Sequence, residues 1–335
     1  MTRKILYLAG IIVLALVIVG VFLPSSVHVQ REVTIDAPAA TVFALLTDAH
    51  QLEEWSPWVS ENVATQVEGA SRGVGATLRW NSPAGGSGSQ AIVESAPYER
   101  VVTKLSAGGK GPFATTFTLD AGADGTRVGW AFDADFGINL VQRYLGRLLA
   151  GHIGRDYEKG LANLKSMAES LPRADWSDLQ IEHLDVEPAV IAYLTTSSLP
   201  DSEAVSEAMG EAYFRILNFM DRHDLKEAGA PLSISRKFSG SKLVFDAAIP
   251  LRGVSEETPE SDNGVRLGQT YGGPAIRAVH VGPYGELPGT YEKIAAYLAA
   301  YGIERNGDAW ESYESDPART AAADLRTYVY YPVRE

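Results

Sequence analysis

The pattern of apolar and polar residues divides the chain into three parts, and the first is a continuous apolar run over residues 5–23. At about 1.5 Å per residue, a helix of this length spans roughly 28 Å, close to the hydrocarbon thickness of a bilayer. The run therefore predicts a transmembrane helix that anchors the chain, within an anchor segment covering residues 1–26. A cleaved signal peptide is the alternative, but its apolar core is normally shorter, about 7 to 15 residues.

The charges that flank the apolar run predict its orientation. Arg3 and Lys4 precede the run, whereas the first basic residue after it is Arg31. Basic residues concentrate on the cytoplasmic side of membrane proteins. We therefore expect a single-pass membrane protein with a cytoplasmic N-terminus and with its remaining domains outside the cytoplasm.

Residues 27–170 show the pattern of an antiparallel sheet domain. Residues 27–35 alternate apolar and polar side chains, which is typical of a half-buried strand, and residues 41–46 predict a short helix. Five further strand-like segments follow, separated by glycine-rich turns, and a long helix closes the domain. Strand, short helices, antiparallel sheet and C-terminal helix is the element order of the helix-grip fold.

Short motifs in this domain resemble those of the START/SRPBCC superfamily, in particular its polyketide cyclase-like group; they lie at residues 33–38, 55–58, 73–76, 126–130 and 157–165. The resemblance implies that an apolar ligand binds between the sheet and the long helix. The candidate lining residues are aromatic: Trp55, Trp58, Trp80, Trp130 and Phe132. The alternative for each of them is ordinary core packing, because aromatic side chains also dominate protein cores.

Residues 175–335 contain an internal duplication. A strand-like segment, an amphipathic helix and two strands occur in that order twice, first at residues 181–196, 202–223, 231–238 and 242–251, then at residues 274–281, 287–301, 309–314 and 325–333. This pattern predicts two β-α-β-β halves that face each other. The predicted fold class of the whole chain is α+β, with an anchor, a helix-grip domain and a duplicated domain.

The second repeat closely resembles the gyrase-inhibitor-like (GyrI-like) effector-binding domain, which is built from two SHS2 units. The residues that carry the resemblance are 279–284, Tyr291, 310–313 and 327–333. The resemblance implies that Glu311 is the carboxylate of a ligand pocket. The aromatic candidates for the rest of that pocket are Tyr284, Tyr313, Trp310, Tyr271 and Tyr330.

Strand geometry also bears on Glu311. Side chains alternate between the two faces of a strand, so Glu311 and Tyr313 share one face while Trp310 lies on the other. Burying a carboxylate among aromatic rings is costly without a partner, so a cationic or hydrogen-bonding ligand would complement it. The alternative is that Glu311 is exposed and that the tyrosines serve only packing.

The composition removes several functional classes from consideration. The chain has no cysteine, so it has no disulfide, thiolate metal site or cysteine nucleophile. Its six histidines lack metal-ligand spacing and it has no phosphate-binding glycine loop, so we expect no metal and no cofactor. The net charge is −13, with 26 acidic against 14 basic residues from residue 175 onward, which argues against a nucleic-acid partner.

The sequence therefore predicts a membrane-anchored protein that binds hydrophobic, amphipathic or cationic small molecules and has no intrinsic catalytic activity. The alternative is a hydrolase of reactive aromatic or electrophilic small molecules. In that case Glu311 would act as a general base, provided that burial raises its pKa toward neutrality. A scaffold that binds only other proteins is a third hypothesis, for which neither domain would take up a hydrophobic dye.

Overall fold

A computed structural model of the protein describes residues 2–59, 63–82, 86–108 and 110–334. The chain divides near Asp175 into two compact units, each built on one antiparallel sheet with helices. The α+β class predicted from the sequence is confirmed. The two units are described in turn.

The first unit is a seven-stranded antiparallel sheet with a long helix as its last element. The strands follow the order β1-β7-β6-β5-β4-β3-β2, so the first strand of the chain pairs with the last one of the sheet. Two short helices connect β1 to β2, which completes the helix-grip arrangement. The elements are α1 Thr2–Phe22, β1 Ser26–Ile35, α2 Ala39–Thr47, α3 Ala49–Trp55, β2 Ala64–Glu68, β3 Thr77–Ser82, β4 Gly86–Ala96, β5 Arg100–Ala107, β6 Lys110–Gly122, β7 Gly125–Asp135 and α4 Leu140–Glu169.

The sequence of the long helix α4 explains where the helix begins and how it packs on the sheet. The Asn139 side chain caps its N-terminus by accepting a hydrogen bond from the Gln142 N–H at 3.1 Å. Along α4, Tyr157 and Leu161 are buried against the sheet. Gly160 permits this close approach, because a Cβ at that position would lie 2.7 Å from the ring of Trp130.

Helix α1 covers the apolar run that the sequence assigned to a membrane anchor. Across the part of the chain that the structure describes, no helix meets the length and apolar character needed to cross a membrane. The predicted transmembrane helix is therefore not supported by the structure. The side chains of Arg3 and Lys4, on which the predicted orientation depends, lie outside the described side chains.

The second unit is a ten-stranded antiparallel sheet with two helices. Nine strands follow the order β13-β14-β9-β12-β11-β16-β17-β15-β8, and β10 pairs with β12. The elements are β8 Ile181–Val186, β9 Val190–Ser198, α5 Ser202–Arg222, β10 Lys226–Glu227, β11 Leu232–Ser239, β12 Lys242–Arg252, β13 Ser261–Asp262, β14 Val265–Gln269, β15 Gly273–Val281, α6 Leu287–Ala300, β16 Trp310–Tyr313 and β17 Arg326–Pro332.

The duplication predicted from the sequence is visible as two successive sets, β9-α5-β11-β12 and β15-α6-β16-β17. The two halves join where β11 pairs with β16, and there Ser233 lies opposite Glu311. Each helix covers its own apolar cluster: Ile216 and Phe219 of α5 pack in one, and Ile294 of α6 packs in the other. The join between the halves therefore lies between two separate cores.

The segment predicted as one strand over residues 181–196 is two strands in the structure. β8 ends at Val186 and pairs with β15 at one edge, whereas β9 begins at Val190 and pairs with β12 and β14. Pro188 explains the break, because proline has no N–H to donate to a ladder hydrogen bond. The sequence pattern alone did not reveal that the two pieces separate in the sheet.

Candidate functional site

Glu311 lies on β16 at the join of the two halves, on the face that carries the helices. Its strand partner Val329 belongs to the apolar cluster beneath α6, which fixes this orientation. Its Oε1 accepts a hydrogen bond of 2.7 Å from the hydroxyl of Tyr291 on α6. Its Oε2 accepts a hydrogen bond from the hydroxyl of Tyr313 on the same strand. Each carboxylate oxygen therefore has one phenol donor.

Both helices contribute side chains around this carboxylate. On α5, the sulfur of Met209 lies 3.8 Å from the Tyr313 hydroxyl, and the Tyr213 hydroxyl donates a 2.8 Å hydrogen bond to the Leu232 carbonyl. The Tyr284 ring meets the Tyr313 ring edge-on, with 5.4 Å between centroids. We call Glu311 with Tyr213, Tyr284, Tyr291 and Tyr313 the glutamate cluster.

The protonation of the glutamate cluster follows from its burial. Burial raises the pKa of Glu311 above its ordinary value, while the hydrogen bonds from Tyr291 and Tyr313 and the proximity of His280 act in the opposite direction. Burial, followed by the charge of Glu311, raises the pKa of Tyr291 and of Tyr313 well above the ordinary value. The two phenols therefore remain protonated and serve as donors. Glu311 and Tyr313 keep partial exposure, so a ligand can reach them.

His280 supports the cluster without contacting the carboxylate. Its Nδ1 lies 2.8 Å from the Thr290 hydroxyl, and its Nε2 lies 3.3 Å from the Pro283 carbonyl, which can only accept. Thr327 pairs across the sheet with Tyr313 on one side and with His280 on the other. The buried hydroxyl of Thr327 has no hydrogen-bond partner among the described residues. His280 thus contacts Thr290 and Pro283 and does not contact the carboxylate of Glu311.

Three of the predicted pocket residues lie on the opposite face of the sheet. Trp310 stacks on its strand partner Tyr330 with 4.7 Å between ring centroids and an interplanar angle of 4°. Tyr271 lies 6.1 Å from Trp310 and donates a hydrogen bond to the Pro274 carbonyl. Strand alternation separates these rings from Glu311. Trp310, Tyr330 and Tyr271 therefore do not join the glutamate cluster.

Two members of the glutamate cluster, Tyr291 and Tyr213, are absent from the site that the sequence predicts. Tyr291 belongs to a motif that resembles the GyrI-like domain, and it is not among the predicted site residues. Tyr213 belongs to the first repeat, in the middle of an amphipathic helix, where a tyrosine is an ordinary core residue. A comparison of the two repeats would have suggested Tyr213, because each helix brings one tyrosine to the join.

The five aromatic candidates of the first unit meet in one cluster between the sheet and α4. Trp130 is fully buried and stacks on Tyr157, with 3.8 Å between centroids and an interplanar angle of 7°. Trp55 meets Trp130 edge-on at 5.8 Å, and Trp58 stacks on Trp80 at 5.8 Å. Trp55, Trp80, Trp130 and Phe132 are buried, whereas Trp58 keeps partial exposure. Core packing accounts for the four buried side chains.

A buried row of polar side chains crosses the same interior and was not predicted. The Gln90 Nε2 donates to the Thr103 hydroxyl at 3.2 Å, the Thr103 and Thr115 hydroxyls are 2.8 Å apart, and the Trp130 Nε1 donates to Thr115 at 3.3 Å. Among the described residues the Gln90 carbonyl oxygen has no partner. Because buried polar groups are normally paired, this oxygen marks a polar position inside the domain.

A surface depression beside β14 carries different chemistry. Its lining includes Val190, Glu256, Glu260 and Arg266, and none of the predicted site residues. The three charged side chains are exposed to solvent. No group of three or more histidine, aspartate or glutamate side chains within the described ranges could hold a metal ion. The glutamate cluster is therefore the candidate site.

Comparison with known proteins supports the division of the chain into two domain types. Residues 26–169 match the model of the family described as polyketide cyclase, dehydrase and lipid transport. Residues 232–334 match the model of the GyrI-like small molecule binding domain. No curated protein matches the chain.

Several solved structures are similar to part of the chain at low identity. A hydrolase from Listeria innocua is 19% identical, with 46% of this chain and 92% of that chain covered at a TM-score of 0.35. The Aha1 dimer from Colwellia psychrerythraea is 16% identical, with 43% and 96% covered at a TM-score of 0.33. The EcmrR–DNA complex is 13% identical, with 58% and 72% covered at a TM-score of 0.39.

In both units the boundaries of the family matches lie at the boundaries of secondary-structure elements. The first match begins at the start of β1 and ends at the end of α4, and the second extends from the start of β11 past β17. The chain thus carries a domain of the polyketide cyclase, dehydrase and lipid transport family, followed by a GyrI-like small molecule binding domain.

Proposed function

We propose that the glutamate cluster binds a small molecule carrying a cationic or hydrogen-bond-donating group flanked by apolar or aromatic surface. The observation that carries this proposal is a single half-buried carboxylate, at the join of two repeats, whose two oxygens already hold the phenols of Tyr291 and Tyr313. A carboxylate removed from water is stabilised further by a positive partner. The rings of Tyr284 and Tyr313 add attraction for a cation through their faces.

We expect the site to discriminate between ligands by their charge. Burial raises the pKa of Glu311, so the free site carries less than a full negative charge near that pKa. A bound cation favours the ionised carboxylate and therefore releases a proton on binding. Affinity for a cation falls as the pH drops through the pKa of Glu311, whereas affinity for a neutral ligand of the same shape changes little.

Calorimetric titration with N-methylquinolinium and with neutral quinoline at pH 7.5 tests this proposal. Glu311→Gln keeps the shape of the side chain and removes its charge. We expect this variant to lose about 10- to 100-fold in affinity for the cation, which corresponds to about 1.5–3 kcal/mol for a charge-assisted contact. Tyr330→Phe, on the opposite face, is the matched control. Equal cation affinity in the wild type and in Glu311→Gln would refute a carboxylate-based site.

Hydrolysis of an electrophilic aromatic substrate is the second candidate function, and the raised pKa of Glu311 favours it. In this scheme Glu311 takes a proton from water while the water oxygen bonds to a carbon of an epoxide. The ring C–O bond at that carbon breaks, and the alkoxide that forms receives the proton held by Glu311, which gives a diol. Each carboxylate oxygen accepts one phenol hydrogen bond and has a second lone pair left for the water. Turnover of a panel of aromatic epoxides that is lost in Glu311→Gln would support hydrolysis, whereas binding without turnover would support the binding module.

For the first domain we propose a second, mainly apolar ligand near Trp58, with one polar group directed to the Gln90 carbonyl. The partial exposure of Trp58 and the unpaired Gln90 oxygen support this proposal. Quenching of tryptophan fluorescence by a medium-chain fatty alcohol measures it. Gln90→Leu should weaken the quenching for the alcohol but not for an alkane, and equal behaviour of both probes would contradict the polar contact.

We further propose that the protein works at a membrane, with a cytoplasmic N-terminus and both domains outside, and that it does not bind nucleic acid. The apolar run over residues 5–23 and the exposed apolar side chains of α1 support the location. The net charge of −13 supports the absence of nucleic-acid binding. Membrane fractionation with protease accessibility tests the first proposal, and a DNA mobility shift at low salt tests the second.

A further inference from the structure

An exposed apolar tip lies between β7 and α4 in the first unit. Ile138 is 94% exposed and Val141 is 68% exposed, although both are aliphatic. They flank Asn139, whose side chain caps α4, so the tip has a defined backbone conformation. Neither side chain contributes to the core of the unit, and contiguous apolar exposure of this kind marks a contact surface.

The tip is fastened to the C-terminal end of α1. The Arg143 Nη1 donates to the carbonyls of Val21 at 3.2 Å and of Leu23 at 3.1 Å, while its Nε donates to the Gly137 carbonyl at 2.9 Å. One guanidinium therefore bridges the end of α1 and the turn that contains Ile138.

The next residue of α4 extends this attachment along α1. The Tyr144 hydroxyl donates to the Leu16 carbonyl at 2.6 Å. A Cβ on Gly20 would lie 3.1 Å from the Tyr144 ring, so the absence of a side chain permits this contact. Phe22 is 83% exposed and lies between Val21 and Leu23, whose carbonyls Arg143 holds next to the turn that contains Ile138.

The charges next to the tip indicate what covers it. Residues 137–155 contain three arginines and no aspartate or glutamate, whereas Asp135, just before the tip, is exposed and accepts a hydrogen bond from the Gly137 N–H. Arg147, six residues beyond Val141 on α4, is exposed and forms no ion pair with any described residue. Apolar side chains combined with nearby arginines match the acyl boundary and the phosphates of an anionic bilayer surface.

We propose that the surface formed by Phe22, Ile138 and Val141 inserts into the headgroup region of an anionic lipid bilayer, with Arg147, about 9 Å further along α4 than Val141, contacting lipid phosphates. The segment of α1 that contacts α4 extends from Leu16 to Leu23, a length of about 10 Å along a helix. This length is similar to the depth of about 5–10 Å at which interfacial protein elements are typically buried. The inference rests on the proposed membrane location, but it does not require that α1 spans the bilayer.

Fluorescence from a single label at the tip tests this inference on the full chain. The protein has no cysteine, so Ile138→Cys provides a unique attachment site for an environment-sensitive nitrobenzoxadiazole maleimide. Asp124→Cys, in the exposed hairpin between β6 and β7, is the matched control. Both labelled proteins are floated on a density gradient with phosphatidylglycerol vesicles, and the emission is recorded in the floated fraction.

We expect the label at position 138 to shift to shorter wavelength and to gain at least twofold in intensity, while the label at position 124 stays unchanged. Adding Arg147→Ala should lower the apparent vesicle affinity about fivefold, as expected for one basic residue at an anionic surface. If the protein floats but the emission of the label at position 138 does not change, the tip does not insert. In that case the result supports the proposed membrane location and refutes the tip insertion. If the protein does not float, both the membrane location and the tip insertion are wrong.

Discussion

The hydrogen bond from Tyr291 to Glu311 sets how readily the carboxylate ionises, and removing it gives a sharp test of the glutamate cluster. In Tyr291→Phe the ring and its packing on Tyr331 remain, but the 2.7 Å bond to Oε1 is lost. A hydrogen bond to a charged group contributes about 1.5–3 kcal/mol. At 1.36 kcal/mol per pKa unit, complete loss raises the pKa of Glu311 by about one to two units.

The partial exposure of Glu311 places the expected shift at the lower end, about one unit, because water can replace part of the lost bond. The assay is the affinity for N-methylquinolinium measured between pH 4 and pH 9. Since the cation needs the ionised carboxylate, the midpoint of the affinity profile should move to higher pH in Tyr291→Phe. At any pH below the new midpoint the variant should bind the cation more weakly than the wild type does.

Tyr213→Phe is the control for this experiment. The Tyr213 hydroxyl donates to the Leu232 carbonyl and not to Glu311, so its removal should leave the midpoint nearly unchanged. A midpoint in Tyr291→Phe that is unchanged or moves to lower pH would show that the phenol does not stabilise the carboxylate. That result would refute the electrostatic account of the cluster.

Three further outcomes follow from burial and pairing. The pKa of Glu311 is raised in the folded state, so ionisation of Glu311 above that pKa lowers the stability of the fold. Glu311→Gln should therefore raise Tm at pH 7.5. This gain in Tm should shrink as the pH falls toward 4.5, the ordinary pKa of glutamate. Trp130→Ala, which removes a fully buried ring stacked on Tyr157, should lower the unfolding free energy by about 3–5 kcal/mol in urea titrations, and a loss below about 1 kcal/mol would contradict the packing. Arg236→Met leaves the buried Asp246 without its 2.7 Å ion pair and should cost about 2 kcal/mol, with no change in cation affinity.

Local patterns of apolar and polar residues were sufficient to predict much of the fold. The alternation over residues 27–35 predicted β1, and the repeat of strand, helix and two strands predicted the two halves of the second unit. Alternation also placed Glu311 and Tyr313 on one face and Trp310 on the other, and the structure shows this arrangement. These features depend only on the two-residue period of a strand and on the order of elements along the chain.

Other features depend on contacts between residues that are distant in sequence. Two such features are the separation of β8 from β9 at Pro188 and the presence of strand β14. Both depend on strand pairing within the sheet, since β8 pairs with β15 and β14 pairs with β9. Trp310 was a pocket candidate from the family resemblance, although strand alternation puts it on the face opposite Glu311, where the structure also has it.

The sequence by itself therefore determined the two domain types and the repeat, and it predicted Glu311 as the carboxylate of the site. Only the tertiary structure decided which side chains surround that carboxylate. Tyr291 reaches it because α6 packs over β17, and Tyr213 approaches from α5 because β11 pairs with β16. Helix packing and strand pairing join residues far apart in the chain, and no local period of apolar residues records which distant partner each element will find.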